Sequence, residues 1–292
     1  MFEKVLIATD ISSGSLAILE FMGQLKRIGT REFFLVQCIQ SKEALYGAAE
    51  NEEMLKSALE KKKDVLEKQG FTTTALVVVG NILNEINRIV EENGCSMIVV
   101  GVMRTSLVKE MFFSDITNFI AKNTAGPVLI LPMKREEKGN TACLQCEKWD
   151  IKRHILFPTD FSLNADLAFS CLREIVKTGV EKVTLLHVQD REKIADGHES
   201  RLESFNEIDK QRLEDLKSNL KGAKQIEISI PYGFPVEEIM KAVEAGKVSQ
   251  VIMGSQGRGY IQEIFMGGVS HKIARTSGIP VMLVPFKESA AA

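Results

Sequence analysis

The chain has 292 residues, 45% of them apolar and 26% charged, with a formal net charge of −2. At ~100–200 residues per domain the length suggests two domains, and the composition excludes a disordered or low-complexity chain. The near-neutral balance marks neither a nucleic-acid binder nor an anionic-membrane binder. No run approaches the ~20 apolar residues of a membrane span. Residues 1–10 enter a strand pattern directly, with no basic stretch ahead of an apolar one. A cytoplasmic protein without a secretory signal is expected.

Short apolar runs at 4–9, 33–39, 73–79, 97–101 and 128–131 predict buried parallel strands. Residues 81–92 carry apolar side chains at 82, 83, 86, 89 and 90, a helical stripe, and Gly94 supplies its stop. Residues 135–150 are charged, polar and aperiodic, and read as a linker between domains at 1–134 and 151–292. Beyond the linker the pattern repeats. Val5-Leu-Ile-Ala-Thr-Asp10 returns as Ile155-Leu-Phe-Pro-Thr-Asp160, and residues 34–38 return as 184–188, both 150 residues on. Residues 98–101 return as 251–254 and 126–132 as 279–285, now 153 on, so the second copy holds a three-residue insertion between its second and fourth strands. Its own helix carries Val236, Ile239, Met240 and Val243, with Pro235 in the first turn and Gly246 as the stop. Five strands alternating with four helices in each copy imply an α/β fold: two tandem, doubly wound parallel sheets with helices on both faces. Such sheets bind ligands beyond the carboxyl ends of the strands, here strands one and four.

The fourth strand of copy two runs into Gly254-Ser-Gln-Gly257, and nine residues later Gly267-Gly268-Val269-Ser270 opens a helix reaching about Thr276. Glycines let the backbone approach a ligand closely, and the N–H groups and dipole at a helix start favour phosphate. Ser270 adds a hydroxyl in the first turn. Asp160, after strand one, is placed to accept hydrogen bonds from a ribose or to hold a metal. Turn-forming glycines are the plain alternative.

At these residues the chain resembles the universal stress protein family, over both copies and so nearly the whole chain. The resemblance rests on Gly-x2-Gly-x9-Gly after strand four and Asp after strand one. It implies an adenine-nucleotide-binding fold with strand order 3-2-1-4-5, whose units pair through their fifth strands. A tandem chain can meet that pairing internally as a pseudo-dimer, with a further homodimer open. Carried over by position, Asp160 would contact the ribose and Val188 the adenine. Pro158, Thr159 and Met253 would line the adenine and ribose pocket. Gly254 and Gly257 would line the phosphate path, and Gly267, Gly268, Val269 and Ser270 would hold the phosphates. The family's Ser/Thr after the third glycine is Gly268 here, which leaves AMP, ADP and ATP open as ligand, with magnesium if ATP. Copy one departs further: Arg104 replaces the second glycine, Ser114 the third, and Asp115 stands where phosphate would lie. A carboxylate there would cap the helix and repel phosphate, so copy one is expected to have lost nucleotide binding, although Asp10 remains. The function expected is a nucleotide-responsive stress or signalling module. The alternatives are a slow ATPase or autokinase using Ser270, and a non-binding interaction scaffold.

No catalytic residue is assigned, because phosphate-loop, nucleophile-elbow and zinc-protease motifs are missing from the sequence. No metal is assigned either, and Cys143-x-x-Cys146 is the one candidate. One such pair is half of a zinc site, which a second chain or His154 would have to complete. A redox pair and a solvent-exposed linker pair are the other readings. Cys38, Cys95 and Cys171 read as reduced core residues. His187 reads as a satisfied, partly buried histidine. His271 faces either a phosphate or solvent. Met111-Phe-Phe113 reads as packed under its loop or between the units, and 199–221 as a helix with a solvated face.

Overall fold

The structure is a computed structural model that describes residues 1–9, 13–39, 48–103, 124, 126–135, 141–192, 202–257 and 268–286. It divides into two compact units, the first built on Met1–Glu147 and the second on Lys148–Phe286.

Unit one contains β1 (Lys4–Thr9), α1 (Ser13–Leu19), α2 (Gly23–Lys26), β2 (Glu32–Ile39), α3 (Ala48–Lys68), β3 (Thr72–Val79), α4 (Ile82–Asn93), β4 (Met97–Met103), β5 (Val128–Arg135) and β6 (Thr141–Cys143). Its parallel strands lie in the order β3-β2-β1-β4-β5, with β6 antiparallel on β5. The chain leaves β1 for β2 on one side and comes back to β4 on the other. Right-handed crossovers in opposite directions put helices on both faces. The apolar runs are buried as both-face strands must be: Val5, Leu6, Phe33, Leu35, Met97, Ile98, Val99, Val128 and Leu129 are sealed from solvent. Asn81 caps α4, its side chain accepting from the Leu83 and Asn84 amides, and Gly94 ends it in the left-handed region at φ 64°.

Unit two contains β7 (His154–Pro158), α5 (Leu163–Lys177), β8 (Val180–Leu186), β9 (Gln189–Asp190), α6 (Leu202–Ser218), β10 (Ala223–Ser229), β11 (Tyr232–Gly233), α7 (Pro235–Ala245), β12 (Gln250–Gly254), α8 (Gly268–Thr276) and β13 (Val281–Val284). The order is β10-β8-β7-β12-β13, the same topology. Every residue of β7 is buried, and Phe157 meets Phe169 of α5 edge-on at 5.7 Å. Pro235 starts α7 as expected. Gly246 ends it with φ −86°, and the left-handed residue is the next one, Lys247 at φ 50°. Glycine is needed at 246 for another reason: a Cβ there would lie 2.8 Å from the Ala242 carbonyl and 3.3 Å from the His154 ring.

Part of the expected linker is regular structure. β5 runs past residue 131 to Arg135, and β6 folds back onto it. A single turn of 3-10 helix follows at Cys146–Lys148. The solvent-exposed reading of the cysteine pair is corrected: Cys143 and Cys146 are buried and disulfide-bonded. The paired strand carries them against α1, which an isolated charged segment would not do. Two further pairings, Tyr232 with Gln189 and Gly233 with Asp190, join β9 to β11 beyond the main sheet of unit two.

Candidate functional site

In unit two, β7 and β12 are neighbours, with Gln250 opposite Ile155 and Val251 opposite Leu156. Their carboxyl ends therefore open at one crevice, the switch point of the sheet. Thr159 is buried there. Its amide donates to the Leu186 carbonyl at 2.8 Å, and its hydroxyl oxygen accepts from the Phe161 amide at 3.0 Å. Asp160 Oδ1 accepts from the Ser162 amide at 3.1 Å and from its hydroxyl at 2.6 Å. Ser162 in turn caps α5, its Oγ accepting from the Ala165 amide at 3.2 Å. The carboxylate is thus held by the start of α5.

Its other oxygen, Oδ2, lies 2.8 Å from where a Cβ on Gly257 would stand. Glycine at 257 lets the loop after β12 pass against the carboxylate. Gly254 is forced differently. Asn164, buried in the first turn of α5, fills the volume that a side chain at 254 would need. It bridges two strand ends, donating from Nδ2 to the Val284 carbonyl at 3.0 Å and accepting at Oδ1 from the Gln256 amide at 2.8 Å. The first turn of α8 is tied to the same loop: the buried Ser270 hydroxyl donates to the Ser255 carbonyl at 2.6 Å. Gly268 begins α8 with none of the described residues within 4 Å of its Cβ direction, and Val269 is half-buried. The leading N–H groups of a helix have no partner within it, and the positive end of its dipole lies there. Met253 is buried in β12 opposite Leu283, and Pro158 ends β7 opposite Leu186. Val188 is half-buried, between amides that bond to Ser229 and Pro231. Gly267 lies outside the described residues.

The neighbouring rim holds a cluster that sequence reasoning missed. His187 Nδ1 is 2.8 Å from the Thr159 carbonyl, and its Nε2 is 3.5 Å from Asp209 Oδ2 of α6. Gln189 donates to the same Asp209 oxygen at 3.2 Å. Phe161, held left-handed at φ 56°, covers the His187 ring at 4.6 Å, and the Arg212 guanidinium lies 4.9 Å over the Phe161 ring. His187 is satisfied, as read from the sequence. Asp209 falls in the helix read as solvated, and its side chain is only 14% exposed. Alternating charge could not single it out, because its burial depends on which face meets the sheet edge. His271 is half-buried on α8.

His154 takes no part in a metal site with the cysteines. Its Nδ1 is 2.7 Å from the Gly246 carbonyl and its Nε2 is 2.8 Å from the Thr184 hydroxyl. A carbonyl only accepts, so Nδ1 carries the proton and Nε2 accepts from Thr184. Burial holds this imidazole below its ordinary 6.5. Among the described residues no group of three or more His, Cys, Asp or Glu is placed to hold a metal.

Unit one differs at the matching edge. The buried Lys62 of α3 donates to the Thr9 hydroxyl at 3.0 Å. Ile18 of α1 fills the space beside Gly101 that Asn164 fills beside Gly254. Asp10, Arg104, Ser114, Asp115 and Met111-Phe-Phe113 lie outside the described residues.

The sequence profile of the Universal stress protein family matches residues 1–132 and again 152–285. The chain belongs to the universal stress protein family. A universal stress protein of Methanocaldococcus jannaschii is 31% identical over 157 residues, covering 47% of this chain and 97% of that protein. One of Bacillus subtilis is 32% identical over 83 residues, 27% of this chain and 56% of that protein. The crystal structure of a universal stress protein from Archaeoglobus fulgidus superposes with a TM-score of 0.70 at 21% identity, covering 98% of each chain. At that identity the likeness concerns the fold, and it extends over both units. No helix among the described residues is long and apolar enough to cross a membrane.

Proposed function

We propose that unit two binds an adenine nucleotide, and that the chain works as a nucleotide-responsive stress or signalling module in the cytoplasm. The observation that carries this reading is the meeting of Asp160 with Gly257 beside the tied first turn of α8. It brings an acceptor suited to a ribose and N–H donors suited to phosphate to one switch-point crevice, in a family the resemblance associates with adenine nucleotides. Pro158, Thr159, Val188 and Met253 would border the base and sugar, Gly254 and Gly257 the phosphate path, and Gly267, Gly268, Val269 and Ser270 the phosphates. ATP and AMP are the two ligands proposed, with magnesium accompanying ATP. Two observations support such a ligand: no described residue crowds the Cβ direction of Gly268, and Val269 is not sealed in the core.

Ser270 supports binding over phosphoryl transfer. Its hydroxyl proton is directed at the Ser255 carbonyl, which cannot serve as a general base. Unit one is proposed as the non-binding partner, joined to unit two through the fifth strands β5 and β13. Crosslinking between cysteines introduced on those two strands tests the pairing.

Calorimetric titration of nucleotide-stripped protein with ATP, and separately with AMP, tests the main reading. One site per chain is expected, weakened in Asp160→Asn. Two equivalent sites would overturn the division of labour, and no binding of either nucleotide would leave a scaffold.

A further inference from the structure

We propose that Cys143 and Cys146 form a reversible thiol–disulfide switch in unit one, exchanging with a small-molecule disulfide such as that of glutathione. The proposal stands apart from nucleotide binding by unit two.

The two Cα atoms are 5.5 Å apart, within the ~4.4–6.8 Å that a disulfide spans, and the sulfurs are bonded. The site is built by the β5–β6 hairpin, with Met133 opposite Cys143 and the Leu144 amide donating to the Pro132 carbonyl at 2.7 Å. Cys143 is 8% exposed and Cys146 is 1% exposed. Among the described residues no third ligand accompanies the pair, which a zinc site would need. A purely structural staple is also disfavoured. Closing a loop with two residues between the cysteines removes little chain entropy from the unfolded state. One of those two residues, Gln145, sits left-handed at φ 56°. A non-glycine residue is disfavoured there, and a bond closed over a strained loop is more readily reduced.

The other thiols are differently placed. Cys38, Cys95 and Cys171 are thiols, and burial pushes Cys95 and Cys171 up to about 11. Among the described residues only Cys143 and Cys146 are disulfide-bonded, so an internal disulfide is made and broken there. The chemistry balances as follows. The thiolate of Cys143, the more exposed residue of the two, attacks one sulfur of the small disulfide and expels one thiolate. The Cys146 thiolate then attacks Cys143 Sγ of the mixed disulfide and expels the second. The two protons lost by the cysteines end on the two released thiols, and the two electrons of the protein dithiol reduce the small disulfide.

The bond state has a route to the mouth of unit one. Met133, opposite Cys143, comes within 3.3 Å of the Cβ direction of Gly101 near the end of β4. Ile18 of α1 covers the same glycine, and α1 packs on β6. Opening the bond loosens β6, and with it the cover that α1 and Met133 place on Gly101.

The test is thiol trapping with peptide mass analysis on the full chain across mixtures of reduced and oxidised glutathione, with hydrogen exchange at both extremes. The 143/146 peptide should lose two hydrogens reversibly on oxidation, while Cys95 and Cys171 remain thiols. Cys146→Ser should trap a glutathione adduct on Cys143, and Cys143→Ser should react at least tenfold more slowly. Exchange in α1 and β6 should rise on reduction in the wild type and should no longer respond to glutathione in the double serine variant. A pair that resists excess oxidised or reduced glutathione would overturn the proposal. So would exchange in α1 that is indifferent to bond state in the wild type, a result that needs no variant to fold. Stoichiometric zinc co-purifying with the reduced chain would replace the switch with a metal site.

Discussion

The Asn164 side chain occupies the volume that any side chain on Gly254 would require, and it uses that position to bond the Val284 carbonyl and the Gln256 amide. The glycine that begins the family's loop signature is thus a packing requirement before it is a ligand contact. Gly254→Ala should cost about 1–3 kcal/mol by overpacking, with a further loss if either Asn164 bond breaks. Urea unfolding measures it. The Gly254→Ala, Asn164→Ala pair should be non-additive, because the second change makes room for the first.

Gly257 is exposed, and among the described residues only the Asp160 carboxylate crowds its Cβ position, at 2.8 Å. Gly257→Ala should cost about 1–3 kcal/mol, since moving the carboxylate strains the bonds it accepts from Ser162. Nucleotide affinity should fall at least tenfold, equivalent to about 1.4 kcal/mol, as Asp160 is displaced. Titration calorimetry and a melting curve, run together, separate the two effects. Unchanged affinity would remove Asp160 from the site.

Asn81 accepts from two amides at the start of α4. Asn81→Ala should destabilise unit one by about 1 kcal/mol. Hydrogen exchange should report the change first in residues 82–85, with α7 of unit two unaffected.

His154 gives unit two an acid sensitivity. In the fold its pKa lies below 6.5, chiefly through burial, with the Gly246 carbonyl bond opposing the shift. The unfolded chain carries an ordinary imidazole, which protonates near pH 6.5. Between the two values the unfolded state binds more protons, so stability rises with pH there. The contribution is complete above about pH 6.5 and is lost as pH falls through that value toward the folded one. Thermal unfolding from pH 8 to pH 5 should show this decline in wild type and a flatter profile in His154→Gln. Equal slopes would assign the acid sensitivity to other groups.

Much of the architecture was legible because it depends on local pattern. The runs at 4–9 and 97–101 are apolar on both faces, which a parallel strand between helices requires. The stripe at 82, 83, 86, 89 and 90 with Gly94 behind it is the signature of one amphipathic helix. The offsets of 150 and 153 revealed the duplication, and Gly257 and Asp160, singled out in the sequence, do meet. Less legible were features set by partners distant in sequence. Asp209 looks like one charge among many until α6 is laid against His187. Asn164 resembles an ordinary first-turn residue until its bonds reach Val284 and Gln256. Ser270 is legible as a hydroxyl in the first turn of α8, but its bond to the Ser255 carbonyl is not.

The sequence by itself determined the duplication, the alternation of strands and helices, and which loops meet the carboxyl edge of the sheet. All of these follow from the period of burial and from where glycine and proline interrupt it. Only the tertiary structure decided that 141–143 is a strand rather than linker, that Cys143 and Cys146 are buried and bonded, and that Gly254 is small for the sake of Asn164. Those outcomes depend on the fit of side chains brought together from separate parts of the chain, where a few tenths of an ångström decide between contact and overlap.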